Sequence, residues 1–366
     1  MSEARRYNIN TLSMVDPAAR QLAQAFAAFD PSRQPLAEYR ARLASALAAS
    51  TSAAKVSFAE RIIPGYSSSQ QVRLLIYAPS QATGKDVPAI LFLHSSGFIS
   101  GTPDQFRAAN YDLAQKHGVM VVAVQYRLAP EFPFPAALQD AYAALSWLFE
   151  HTEELGVDPA RITVMGESAG GGLAAMLALL ARDRGKYALR GQVLIYPMLD
   201  PRTGRDEAPA HNPTTGEFVW TARHNRFAWS ALRGESPIDA QWAPYFAAAL
   251  APDLATLPLT FIAVGALDLF LDEDVAYALR LSRAGVSVES HVYPGAIHGF
   301  DLVPCEVASQ YHTDLASAIK RMLAVEAPDR GRSRLSQRTC QRLACQVGPH
   351  HIDRWTRLRE MQQHFN

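Results

Sequence analysis

The stretch "RITVMGESAGGGLAAMLALLA", residues 161–181, runs an apolar strand into a glycine-bracketed serine and then into an apolar helix. Its centre, Gly166-Glu167-Ser168-Ala169-Gly170, reads G-x-S-x-G, and both flanks are of the kind that gives this motif its meaning. Gly166 and Gly170 leave room for a sharp turn that a side chain would obstruct. Such a turn pushes the Ser168 hydroxyl out of the sheet at its C-terminal edge. The following helix points its N-terminus at the same spot, so the Ala169 amide is placed to donate to a developing oxyanion. A Gly-rich turn that merely packs tightly is the competing explanation, and the two correct flanks favour a functional serine.

Strand and helix patterns alternate on either side of this stretch. PAILFLHS (88–95), VMVVAVQY (119–126), GQVLIYP (191–197), LTFIAVG (259–265) and VSVESHVYPG (286–295) read as strands. Residues 105–117, 136–150 and 273–284 read as helices. Upstream, 57–64 and 71–78 form two further strands around a turn at 65–69. Continuous apolar strands separated by helices predict a mostly parallel sheet of about eight strands, covered by helices on both faces. Residues 1–55 are helical in pattern, interrupted at Asp30-Pro31-Ser32, and residues 56–325 hold the sheet. Residues 200–245 break the alternation and carry Phe218, Trp220, Phe227, Trp229 and Trp242. An insertion of that length reads as a lid or binding element. From 326 to 366 the chain is a basic appendage without clear periodicity, with eight arginines from Arg330 onward.

The bulk properties exclude several classes. Of 366 residues, 48% are hydrophobic, and 35 basic side chains balance 35 acidic ones. No overall field favours nucleic acid or an anionic membrane as a partner. No apolar run approaches a membrane span, and the opening MSEARRYNIN shows no secretory signal. Three cysteines make a poor disulfide framework, which favours a reducing, cytoplasmic setting. Cys340, Cys345, His350 and His351 do not fit a closed zinc site. No phosphate-cradling loop is present, and no metal or cofactor is expected.

A serine hydroxyl needs a neighbouring base. In strand–turn–helix serine hydrolases the chain order is serine, acid, histidine. His298 follows the last expected strand in the loop Ala296-Ile297-His298-Gly299-Phe300, from which an imidazole can reach over the serine. His291 lies within that strand, and His211 and His224 lie in the insertion. The acid belongs after the preceding strand. Asp268 comes first there, while Asp272, Glu273 and Asp274 read as the acidic first turn of the next helix. Asp268 is expected to orient His298 and stabilise its imidazolium.

Together these residues resemble the hormone-sensitive-lipase-like, fold-3 branch of the α/β-hydrolases, mostly short-chain carboxylesterases. The resemblance spans about residues 60–325. It rests on GESAGGG, on VGALD, on HGF, and on Tyr126–Glu131 (YRLAPE) with the FPFPAALQDA that follows. It implies an α/β-hydrolase fold with an N-terminal helical cap, matching 1–55. It also implies an oxyanion hole built from the backbone amides of Ser96, Gly97 and Ala169. The family usually shows HGGGF where this chain has His94-Ser95-Ser96-Gly97-Phe98. A backbone donor does not depend on its own side chain, so serine serves freely if φ stays negative. If φ is positive it costs about 1–2 kcal/mol, against the 3–4 kcal/mol that one lost donor would cost. Where the two hydroxymethyl groups point stays open. His94 reads as a structural hydrogen-bonder rather than a second base. Glu167 is either in contact with a neighbouring loop or a solvated carboxylate.

Phe98, Trp220 and Phe227 are candidates to line the substrate pocket, in competition with simple lid packing. The expected function is hydrolysis of small, fairly apolar carboxylic esters by Ser168, His298 and Asp268 through an acyl-enzyme. A catalytically silent receptor or a lyase on the same fold is the alternative. The expected partner is a small-molecule ester, with a homodimer left open.

Overall fold

The computed structural model describes residues 10–26, 29–50, 57–67, 69–80 and 86–324. The basic stretch expected over 326–366, with Cys340, Cys345, His350 and His351, lies outside them, as do the first nine residues of the expected cap. Eight strands make one sheet: β1 (Ala59–Pro64), β2 (Gln71–Tyr77), β3 (Val87–Leu93), β4 (Met120–Gln125), β5 (Val157–Glu167), β6 (Gly191–Ile195), β7 (Leu259–Gly265) and β8 (Val288–Tyr293). Their order is β1-β2-β4-β3-β5-β6-β7-β8. β2 is antiparallel to both β1 and β4, and every other pairing is parallel. The principal helices are α1 (Leu36–Ser50), α2 (Arg107–His117), α3 (Ala136–Glu150), α4 (Ala169–Arg184), α5 (Ala222–Arg233), α6 (Leu271–Arg283) and α7 (Glu306–Ala324).

The middles of the central strands are mostly apolar because both faces are covered. Leu91 and Leu93 of β3 enter one core with Leu138, Leu145 and Leu177 of α3 and α4. Their neighbours Ile90 and Phe92 enter a second core with Ala114 of α2 and Tyr311 and Ile319 of α7. This is the two-residue strand period dividing one apolar run between two layers. Only the edges lose this pattern: β1 is mostly exposed and β8 alternates. Helix α4 is buried continuously from Ala169 to Ala181, so it carries no polar stripe.

The N-terminal segments pack onto the C-terminal edge of the sheet. Tyr39 and Leu43 of α1 join the larger core. Val15, Ala19 and Ala23 pack against Leu267 and Ile297, the residues just before Asp268 and His298. The insertion contains one substantial helix, α5, with a short turn at Ala243–Tyr245, and a second turn, Ala248–Leu250, follows it. Among the described residues no helix is long and apolar enough to cross a membrane.

Candidate active site

At the end of β5 the chain reverses into α4 through Ser168, which has φ 53° and ψ −117°. A non-glycine residue in that region is strained by about 1–3 kcal/mol and is held there by its surroundings. The Ser168 amide donates to the Ile195 carbonyl at 2.8 Å, and its own carbonyl accepts from Gly172 and Met198, each at 2.9 Å. The flanking glycines are required by close approach. A β-carbon on Gly166 would lie 2.1 Å from the Gly170 carbonyl oxygen, and one on Gly170 would lie 2.1 Å from that of Leu93.

His298 and Asp268 reach this serine from the loops after β8 and β7. His298 Nε2 lies 2.9 Å from Ser168 Oγ, and His298 Nδ1 lies 2.7 Å from Asp268 Oδ2. All three are buried, at 2%, 7% and 1% exposure for Ser168, His298 and Asp268. An ionised carboxylate only accepts, so Nδ1 carries the proton and Nε2 offers its lone pair to the serine hydroxyl. The other Asp268 oxygen accepts from the Phe270 amide at 3.0 Å, which fixes the carboxylate plane. The imidazole is boxed in by rings. Tyr196 meets it edge-on at 4.7 Å between centroids, Phe270 edge-on at 5.3 Å and Trp220 at 6.2 Å.

The loop after β3 has an unusual backbone. Ser96, Gly97 and Phe98 have φ of 92°, 70° and 62°, three left-handed residues in succession. Serine therefore does not sit here with negative φ, and the strained branch of the expectation applies, at about 1–2 kcal/mol. Among the described residues, the amides of Ser96, Gly97 and Ala169 donate to no protein acceptor. The loop is held through its other groups. Ser100 donates to the Ser96 carbonyl from its amide (3.2 Å) and from its hydroxyl (3.0 Å), and the Ala129 amide donates to the Phe98 carbonyl at 2.9 Å.

His94 is a buried brace. Its ring stacks on Tyr126 at 4.1 Å, its Nδ1 lies 2.9 Å from the Ser95 carbonyl, and burial lowers its pKa to about 4, so it is neutral.

The three candidate pocket residues are placed differently. Phe98 is buried in the larger core, 5.8 Å from Trp229 between centroids. Phe227 is half-buried against the same core. Trp220 sits beside His298 and over the loop, its indole N–H donating to Asn225 Oδ1 at 3.3 Å. A β-carbon on Gly97 would lie 2.4 Å from the Trp220 ring edge.

Several neighbours escaped sequence reasoning. Tyr196 donates to Asp301 Oδ1 at 2.8 Å, three residues beyond His298. Burial, with Asp301 adding to it, pushes the Glu167 carboxyl up to about 8. Glu167 is half-buried, and Asp301 is near enough for the two acids to oppose each other's ionisation. Glu273 and Asp274 do lie in the first turn of α6, but they are buried. Glu273 accepts from the Leu199 amide at 2.6 Å, and neither Asp274 oxygen has a hydrogen-bond partner among the described residues. Among the described residues no group of three or more His, Cys, Asp or Glu side chains is arranged to hold a metal ion.

Comparison with known proteins agrees with this architecture. A family model described as alpha/beta hydrolase fold matches residues 90–302. The carboxylesterase NlhH of Mycobacterium tuberculosis is 34% identical over 318 residues, covering 84% of this chain and 96% of that protein. The ethyl acetate hydrolase of Pseudomonas putida is 36% identical over 215 residues, 58% of this chain and 65% of that protein. Among solved structures, a bacterial heroin esterase superposes with a TM-score of 0.79 at 35% identity, covering 86% of this chain and 100% of that one.

Proposed function

Because this chain belongs to the hormone-sensitive-lipase-like, fold-3 branch of the α/β-hydrolases, we propose that it is a serine carboxylesterase acting on short-chain, fairly apolar esters. The observation that carries this reading is the unbroken hydrogen-bonded line from Ser168 through His298 to Asp268. A protein that only bound ligands would need no such line.

His298 takes the Ser168 proton as Oγ attacks the acyl carbonyl, and the carbonyl oxygen becomes an oxyanion. The amides of Ser96, Gly97 and Ala169 stabilise it, because they form with no reorganisation at the moment of reaction. His298, now imidazolium beside Asp268, protonates the leaving alcohol. Water then enters, gives its proton to His298 and attacks the acyl-enzyme. Collapse of the second oxyanion releases the acid and returns the proton to Ser168. The described N-terminal segments, residues 10–26 and 29–50, cover the pocket as a cap, and the segment 200–245 completes it as a lid. Trp220 walls the acyl side. The ring edge close to Gly97 favours a small acyl group, in line with the name of the ethyl acetate hydrolase relative.

The test is pre-steady-state kinetics with a chromogenic acetate or butyrate ester. A burst of one alcohol per active site is expected, and Ser168→Ala should abolish it. Full activity in Ser168→Ala would sink the mechanism.

A further inference from the structure

The strained loop of Ser96, Gly97 and Phe98 is clamped from the N-terminal helix. Arg40 of α1 donates from Nε to the Ile99 carbonyl at 2.7 Å and from a terminal nitrogen to the Ala129 carbonyl at 3.0 Å. Ala129 in turn donates its amide to the Phe98 carbonyl at 2.9 Å, so Arg40 closes a ring around the two segments. Its two terminal nitrogens also grip Glu131 in a bidentate pair, each at 2.7 Å. Tyr39, the preceding residue, is buried in the larger core, and Ser100 holds the Ser96 carbonyl with both its amide and its hydroxyl. The pair with Glu131 is partly exposed, at 28% and 52%, and exposed pairs contribute little by themselves. Its effect is to aim the planar guanidinium, whose remaining donors then lock onto main-chain carbonyls.

We propose that Arg40 is a positioning residue for the oxyanion loop, keeping the amides of Ser96 and Gly97 aimed at the reacting oxygen across a backbone that serine does not favour. This rests on the esterase reading given above. Arg40 touches neither substrate nor the reacting atoms; it acts through Ile99 and Ala129. A persistent left-handed serine needs surroundings that over-determine it, and the helix supplies them. The cap is thereby part of the catalytic apparatus, not merely a cover.

The test is a double-mutant cycle with Arg40→Ala and Ser96→Gly, read as kcat and KM for a short ester and as inhibition by a trifluoromethyl ketone. That inhibitor adds to Ser168 and places an oxyanion against the loop. Arg40→Ala should lower kcat about ten-fold with KM within about two-fold, and weaken the ketone by the same factor. In the Ser96→Gly background, where positive φ is open to the residue, the Arg40→Ala penalty should fall below about three-fold. Glu131→Gln should cost less than Arg40→Ala. If Arg40→Ala does not fold, Arg40→Lys carries the same cycle. An unchanged kcat, a loss confined to KM, or an equal penalty in both backgrounds would overturn the proposal. An inactive wild type, or an active Ser168→Ala, would instead remove the esterase reading beneath it.

Discussion

The ring edge of Trp220 occupies the space above Gly97, with Cη2 2.4 Å from where a β-carbon on that glycine would lie. The indole is buried and is anchored at its N–H by Asn225, so it does not swing aside freely. On the proposed function it sets the room available to an acyl group next to Ser168. Trp220→Leu should shift the preference from acetate toward hexanoate. The ratio of kcat/KM values for the two p-nitrophenyl esters should move by about ten-fold or more, since a few methylenes are each worth roughly 0.8 kcal/mol of burial. An unchanged ratio would put the acyl group elsewhere.

Gly97→Ala attacks the same contact from the other side. Its methyl would meet the Trp220 ring, and its φ of 70° disfavours any side chain. The loop has to move, and its amides move with it. A fall in kcat of about 10²–10³ is expected, the size of one lost oxyanion donor. Steady-state kinetics with melting curves in parallel separates this from unfolding, since the folded fraction should stay high.

Asp268 holds the tautomer of His298. An asparagine keeps the Phe270 amide contact but presents an NH₂ group or a neutral oxygen to Nδ1. Asp268→Asn should lower kcat by about 10⁴, with little change in melting temperature. A loss of under ten-fold would mean that another carboxylate takes over.

Much of this was legible in advance, for identifiable reasons. Strands β3 to β7 announce themselves because burial on both faces gives each a continuous, mostly apolar central run. Ser168, Asp268 and His298 are findable because each follows a strand at its C-terminal end, and a parallel sheet brings those ends together. The sign of φ at Ser96 was not legible, since it depends on contacts from Ser100, Ala129 and Arg40 that are distant in sequence or conformationally set. Nor could Asp272, Glu273 and Asp274 be told apart: three acids in one helical turn look alike until Leu199 and Asp200 pack over Glu273. Phe98 reads as a pocket residue by its place in the loop, yet the turn at Gly97 sends its ring into the core.

Glu167 should leave a signature in the pH dependence of stability. Burial, reinforced by Asp301, raises its carboxyl to about 8, and Tyr196 and Tyr311 are the other titratable groups in the cluster. In the unfolded chain the carboxyl titrates near 4.3, roughly the value in model peptides. A raised folded value means the unfolded state loses its proton first, so the native state is penalised progressively as pH climbs from about 4.3 toward 8. Glu167→Gln removes that penalty. Its melting temperature relative to wild type should rise between pH 4 and pH 9. A pH-independent difference would show that the carboxyl ionises normally.

Asp274 offers a route to a more stable enzyme. It is fully buried in the first turn of α6, neither oxygen has a hydrogen-bond partner among the described residues, and burial together with Glu273 and Asp268 holds its pKa well above the ordinary value. An unmatched polar group in the interior costs about 1–3 kcal/mol of desolvation that nothing returns. Replacement by alanine removes the carboxyl and opens only a small space, in a turn where alanine favours helix. Asp274→Ala should raise the melting temperature by a few degrees at pH 8, and less at pH 4, where the carboxyl stays protonated in the folded chain and is about half protonated in the unfolded one. Asp272→Ala, two residues earlier in the same turn and only half-buried, should change it little, roughly 0.5 kcal/mol or less. A destabilised Asp274→Ala would mean that the carboxyl is engaged in an interaction the neighbouring residues do not reveal.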